Sequence, residues 1–411
     1  MHTREASTLD LFCDSLRRIG DPTLYGILEF TCRLDPDALS RAAAACIRAH
    51  PVLHSRLVRG QGPARWELIE DSVHPPVLPE PCGDEYDAAV PQFIDPHGTL
   101  QARVRLLRRP AGDTVVVGIA HAAADAYGLH VLMAQLLQEY AAPGSVPAAR
   151  GGIPERDTLW TRALLAQGPA DTAGHRLTDS LWPDPFGTSD GRTKYHRAAI
   201  PAAELDAIRK HAKARGGNLN DALIAAYFVT VSSLVGHTGE KAVYFPVNLR
   251  QHLADGSRVM SNQATNVGIL LSRNGGEGIE EVLGQVITET KALKAGAIGI
   301  AEQAGMDEAS DPEGKTIDEM VGQMAEQCRS GRADIFISNP GPVSLPDFPG
   351  LSDAYICYPC GAMPTTCFVA STFRGQLTVT LGYQDTPRAR EGTRQALDRF
   401  CSSLLSLIAD G

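Results

Sequence analysis

His121 and Asp125 stand four residues apart in the stretch Val115-Val116-Val117-Gly118-Ile119-Ala120-His121-Ala122-Ala123-Ala124-Asp125-Ala126-Tyr127-Gly128. The chemistry this pair suits is proton abstraction. A neutral imidazole at the mouth of a strand can take a proton from a hydroxyl or an amine, and a carboxylate close by in sequence can brace the loop that carries it. A plainer reading has His121 as a satisfied core histidine and Asp125 as the N-cap of the next helix. On spacing alone the plainer reading weighs more, because HxxxD recurs by chance.

The elements on either side are what must position the pair. The β-branched run before His121 is uninterrupted rather than alternating, as in a strand buried on both faces. After Asp125, Leu129, Leu132, Met133, Leu136, Leu137 and Tyr140 repeat at helical spacing and give one apolar face. The strand-turn-helix that results holds the imidazole at a strand end and the carboxylate at a helix start.

Further segments share an order along the chain. Leu34-Asp35-Pro36-Asp37-Ala38-Leu39 leads to His50-Pro51-Val52-Leu53. Asn218-Leu219-Asn220-Asp221-Ala222-Leu223-Ile224-Ala225-Ala226 follows, then Pro246-Val247-Asn248-Leu249-Arg250, Ala264-Thr265-Asn266 and Ile335-Phe336-Ile337-Ser338-Asn339-Pro340-Gly341. With His121 and Asp125, this set resembles the condensation-domain superfamily of acyltransferases, whose active-site motif is HHxxxDG. Its flavour is most like the stand-alone polyketide-associated acyltransferases, typified by the phthiocerol/phthiodiolone dimycocerosyl transferase type. Each motif is weak by itself; the ordered set spans nearly the whole chain.

The resemblance implies an α/β fold of two chloramphenicol-acetyltransferase-like lobes, a pseudo-dimer with a central tunnel. It implies a reaction in which His121 acts as general base, moving an acyl group from a thioester (acyl-CoA or an acyl carrier protein) to a hydroxyl, or less favourably an amine, of a secondary metabolite or lipid. It implies no cofactor. Asp125 would pair with a structural arginine, for which Arg250 is the candidate. Asn266, Ser338 and Asn339 are candidates for polar groups lining the tunnel and holding an oxyanion, although each also reads as a strand-end hydrogen bonder. The chain departs from the motif at two places: Ala120 stands where the family has its first His, and Ala126 where it has Gly, with a Gly only at 128. These departures keep a second reading open, a condensation-fold protein that transfers no acyl group and serves as an assembly-line docking partner or as a cyclase on a tethered chain.

Composition sets outer bounds. The chain has 411 residues, 43% hydrophobic and 21% charged, enough for two lobes with separate cores. A net charge of -10 disfavours nucleic acid as a partner, since phosphate binding needs a basic footprint. An acidic carrier protein would need a local basic patch. Arg103, Arg105, Arg108 and Arg109 are one candidate, and a solvated strand edge is the better reading of them. No run of 18 apolar residues suggests a membrane span, and the first residues, Met1-His2-Thr3-Arg4-Glu5, lack a signal-peptide core. Nine scattered cysteines, an odd number, fit reduced thiols in a cytoplasm. Cys357 and Cys360 form a CxxC near Cys367, but no His follows His252 to complete a zinc site, so no metal is expected. Gly187-Thr188-Ser189-Asp190-Gly191 matches GxSxG without the strand a nucleophile elbow needs, and Gly314-Lys315-Thr316 lacks the upstream Gly of a P-loop, position 309 being Ala309. Aromatic residues make up only 6%, which gives no ground for an aromatic cage.

The pattern divides the chain into an N-terminal lobe over 1–140, a Pro-rich connector over 141–193 and a C-terminal lobe over 194–411. In the first lobe, strands are expected at Leu24–Leu34, Trp66–Ile69, Leu100–Arg108 and 113–121, with a helix capped by Asp35. Only Leu159–Leu165 looks helical in the connector. In the second lobe, helices are expected over Glu204–Ala212, closed by Gly216-Gly217, after Asn218 or Asn220, over Val282–Leu293, over Ile317–Met324 and from Pro387. Gly296–Lys315 is expected to be a loop, and Ala354–Tyr358, Thr366–Thr372 and Leu377–Tyr383 to be strands of one antiparallel sheet. A monomer is expected, since the two lobes already form the pseudo-dimer interface.

Overall fold

The computed structural model describes residues 3–70, 72–82, 92–147, 149, 153, 181–187, 193–252, 259–333, 335–358 and 367–409. The helix expected at 159–165 and most of the connector lie outside these residues, as do Cys360 and all of the GxSxG stretch except Gly187.

The strand before His121 runs Gly112–Ile119 and is buried at every position. It sits in the middle of a five-stranded sheet, in the order Leu351–Cys357, Leu24–Phe30, Gly112–Ile119, Ala102–Arg109, Pro79–Pro81. Its two neighbours are antiparallel. An antiparallel strand normally alternates apolar and polar side chains, and this one does not, because both faces of the sheet are covered. Leu129, Met133 and Leu136, from the helix Ala126–Ala141, join Val115, Val117 and Ile119 in one core. On the other face Val116, Tyr25 and Ile27 pack with Tyr195, which comes from the second half of the chain. Each buried Val or Ile there contributes roughly 1.5–3 kcal/mol relative to exposure. The hairpin to Ala102–Arg109 turns at Pro110-Ala111, with Arg109 opposite Gly112. A Cβ at Gly112 would lie 2.0 Å from the Phe30 carbonyl oxygen, so the turn requires glycine there.

The second half builds its own sheet from Ile337–Pro342, Phe368–Phe373, Gln376–Gln384 and Thr193–Ile200. The hairpin Gly239–Asn248 with Ala264–Arg273 joins it through a parallel bridge between Tyr244 and Phe336. The helix Leu219–Val235 starts at Asn218, whose side chain and that of Asp221 form a reciprocal capping box. It is apolar on nearly all sides because it lies inside the C-terminal core, beside residues of Ile279–Lys294 and Pro387–Ser406. Among the described residues no single helix is long and apolar enough to cross a membrane.

Three expectations need correction. Strand Leu351–Cys357 does not join Phe368–Phe373 and Gln376–Gln384; it pairs with Leu24–Phe30 and completes the sheet of the other lobe. All three segments are apolar with short links, and period and propensity do not encode which edge a strand finds. Gly296–Lys315 is not simply a loop, since Ile300–Ala309 is helical and seats Ile300 and Gln303 in the interior. Its Gly content and weak amphipathicity hide it. Finally, the helix Lys315–Arg329, in the second half by sequence, packs Ile317, Val321 and Ala325 against Leu11 and Leu16 at the N-terminal end of the chain. Arg59 fastens it there, reaching Asp318 at 2.9 Å and Asp14 at 3.0 Å. The two lobes are thus laced together by a strand and a helix that the C-terminal half sends across.

Candidate active site

Asp125 both caps a helix and braces a loop. Its backbone is extended, and its Oδ1 accepts from the N–H of Gly128 at 3.2 Å, so it is the N-cap of Ala126–Ala141. Its Oδ2 accepts from the Arg250 guanidinium at 2.6 Å and from the N–H of Gln263 at 2.9 Å. The Asp125 and Arg250 side chains are 5% and 4% exposed, so the pair is dry. Arg250 also donates to the Ser261 carbonyl at 2.8 Å and lies over the Tyr127 ring at 4.5 Å. The Asn248 side-chain oxygen accepts from the backbone N–H of Arg250. The Asp125–Arg250 pair therefore ties the turn that carries His121 to the other lobe.

A residue that sequence reasoning missed completes the turn. The Asn262 side-chain amide donates toward the carbonyls of His121 at 2.8 Å and Ala122 at 3.0 Å, and toward Asp10 at 3.2 Å. The amide cannot be reversed without aiming its own oxygen at these three acceptors. Asp10 in turn accepts from Arg4, the Trp66 indole and the Ser7 N–H. No motif marks Asn262. The only trace of it is a polar residue within a run, Ser261-Asn262-Gln263, that is fully buried.

Gly128 has its own reason to be glycine. A Cβ there would meet the Met260 sulfur at 2.6 Å and the Ala124 methyl at 2.8 Å. Ala120 is buried at the strand end, its N–H donating to the Gln101 carbonyl. Ala126 is on the wall of the cavity described next.

His121 faces a cavity of about 400 Å³ between the lobes. The ring keeps partial exposure, and that exposure is toward the cavity. Its Nδ1 is buried without a hydrogen bond of ordinary geometry, which leaves Nε2 as the nitrogen with access. Tyr358 meets the ring edge-on at 6.1 Å. Burial lowers the imidazole pKa below its ordinary 6.5, outweighing the backbone carbonyls of His121 and Ala124 and the Asp125 carboxylate, which favour the charged form. The lowered value keeps the ring neutral at neutral pH.

Asn266, Ser338 and Asn339 line the same cavity. Asn339 is partly engaged, its amide 3.4 Å from Asn220 and its oxygen accepting from the Gly341 N–H. The structure thus brings all six sequence-derived candidates into one region, with Arg250 behind Asp125. The arginine patch is spoken for: Arg105 pairs with Glu80, Arg108 with Asp113, Arg109 with Glu29, and Arg103 donates to Gln92. Among the described residues no cluster of His, Cys, Asp and Glu converges as for a metal.

Two α/β lobes with an interlobe cavity and an HxxxD turn at its wall define the class: this is the condensation-domain fold, two chloramphenicol-acetyltransferase-like lobes in a pseudo-dimer. The chain superposes on the first condensation domain of the CDA synthetase with a TM-score of 0.70 at 18% identity, covering 99% of this chain and 96% of that one. It is similar to polyketide synthase associated protein 5 from Mycobacterium tuberculosis (TM-score 0.65, 16% identity, 98% and 97% covered). It is likewise similar to the SgcC5 protein from Streptomyces globisporus, solved in complex with (R)-(-)-1-(2-naphthyl)-1,2-ethanediol and sucrose (TM-score 0.64, 18% identity, 98% of both chains). By sequence it is 27% identical over 293 residues to an uncharacterized protein of Mycobacterium tuberculosis, found in strains CDC 1551 / Oshkosh and ATCC 25618 / H37Rv. That match covers 66% of this chain and spans 66% of the relatives' length. No family model matches the chain.

Proposed function

We propose that the protein is an acyltransferase that moves an acyl group from a thioester to an alcohol, with His121 as general base. The observation that carries this reading is a neutral imidazole with one nitrogen open to an interlobe cavity, on a turn braced by a dry ion pair. In the reaction, His121 Nε2 takes the proton from the acceptor hydroxyl as its oxygen attacks the thioester carbonyl. The tetrahedral intermediate then collapses, the C–S bond breaks, and the imidazolium returns the proton to the departing thiolate. Thioesters are activated enough that one base and good positioning suffice, without a covalent acyl-enzyme. Asn266, Ser338 and Asn339 are the candidates to receive the oxyanion. Asp125 and Arg250 do not touch substrate; they hold the turn.

The donor class, CoA or carrier-protein thioester, is supported by the condensation domains that share the fold. A hydroxyl acceptor is supported by the uncharged hydrogen-bonding groups on the cavity wall, and by the diol held by the similar SgcC5 protein. Ala120 and Ala126 favour the second reading, a fold relative that transfers no acyl group. One experiment separates the two. Purified protein is incubated with a panel of acyl-CoA thioesters and free thiol is followed, with and without alcohols. Wild type is expected to release thiol, and His121→Ala to stop it while keeping the wild-type circular dichroism. Retained turnover in His121→Ala would exclude this base.

A further inference from the structure

We infer that the cavity accepts a donor whose acyl chain is uncharged and apolar, with Met306 and Met324 setting the chain length it holds; this rests on the thioester reading above. One part of the wall is made by Leu9, Phe12 and Leu16 of the first lobe with Met306 and Met324 of the second. Phe12, Met306 and Met324 also pack on the small apolar cluster that joins the lobes, so this wall is hydrocarbon and sulfur backed by hydrocarbon. The other part carries Asn248, Thr265, Asn266, Ser338 and Asn339, all polar and none charged.

Charge is the deciding feature. Among the described residues on the wall there is no Lys or Arg, and the one carboxylate, Asp125, is already paired with Arg250. A chain ending in a carboxylate would give up its water and find no cation. An apolar chain gains with each methylene buried, about fourfold in affinity.

Size limits the chain. A cavity of about 400 Å³ is between two and three times the ~150 Å³ void that takes one benzene, room for roughly sixteen heavy atoms shared between acyl chain and acceptor head. Met306 and Met324 are half-buried. Methionine is the side chain best able to re-pack around chains of different shape, and a bulky or truncated residue at either place changes the available length.

The test uses N-acetylcysteamine thioesters, so that CoA and carrier recognition do not enter, and follows thiol release by the full-length protein with His121→Ala as background. Hexanoyl and octanoyl thioesters are expected to exceed the hexanedioyl thioester by about 100-fold or more in kcat/KM. Equal use of hexanoyl and hexanedioyl would overturn the inference while leaving the acyltransferase reading intact. No release above background from any thioester would bring down that reading and this inference with it. Met324→Trp is expected to lower the octanoyl-to-butanoyl rate ratio at least tenfold, and Met324→Ala to raise the hexadecanoyl-to-octanoyl ratio. If neither ratio moves in Met324→Ala, a substitution that leaves the helix intact, the assignment of chain length to this wall is wrong.

Discussion

Replacing Arg250 with Met keeps the length of the side chain and removes its charge. The structure sets what is lost. Asp125 loses a 2.6 Å charge-assisted bond and keeps only the N–H groups of Gly128 and Gln263. The carbonyl of Ser261 loses its donor, and the Tyr127 ring loses the cation above it. With both side chains at 5% exposure or less, the carboxylate is left in a dry site. Removing one partner of such a buried pair costs about 3–5 kcal/mol, most of it the penalty of the stranded charge. Urea unfolding should register a loss of that size, and thiol release should fall with it because the turn under His121 is no longer held. Asp125→Asn should cost a comparable amount, since an amide oxygen kept on Gly128 turns the NH2 against two donors, Arg250 and the Gln263 N–H, and strands the guanidinium charge. The double variant should recover part of the sum, with a coupling of about 0.5–3 kcal/mol. A loss below about 1 kcal/mol for Arg250→Met would refute the bracing role, because an exposed pair would then describe the site better.

Other outcomes follow from the same geometry. The acid limb of the pH–rate profile should have its midpoint below pH 6.5, because burial disfavours the His121 imidazolium; activity is present at neutral pH and lost as pH falls through the lowered value, and a midpoint above neutrality would contradict the assignment. Asn262→Ala strips a donor from two carbonyls and Asp10, so it should cost about 1–3 kcal/mol in unfolding and slow thiol release; unchanged turnover would show that the clamp does not position the imidazole. His97 is raised above its ordinary pKa by its bond to Asp14, so its contribution to stability is full below pH 6.5 and lost as pH rises through the folded value. Unfolding of wild type and His97→Gln should therefore differ more at about pH 6 than at about pH 9, and a difference independent of pH would speak against the pair.

Much of the scaffold was legible because local rules decided it. Asp35 caps the helix it was expected to start, Asn218 rather than the alternative Asn220 caps the next, Pro36 sits at the first helical position, and the unbroken Val run is a strand with no exposed face. The two readings of Asp125 turned out not to compete: one oxygen caps the helix and the other takes Arg250. The arginine stripe is not the solvated strand edge expected of it: Ala102–Arg109 is flanked by a strand on each side, and Arg105, Arg108 and Arg109 are only 13%, 27% and 17% exposed, each paired with a carboxylate. The illegible parts share a cause. Leu351–Cys357 and Lys315–Arg329 have patterns that say strand and helix, but their partners lie about 300 residues away in the other lobe.

What the sequence determined by itself is therefore the local chemistry: which segments are strands or helices, where they start, and that an imidazole and a carboxylate share one tight turn. These follow from backbone sterics, capping and periodicity over a few residues. Tertiary structure alone decided that Asn262 of the far lobe grips the turn beside Arg250, that strand 351–357 changes sheets, and that the described residues of the cavity wall carry no unpaired charge. Those outcomes depend on which surfaces meet and what is desolvated between them, and a side chain's distant neighbours are not written in its own stretch of chain.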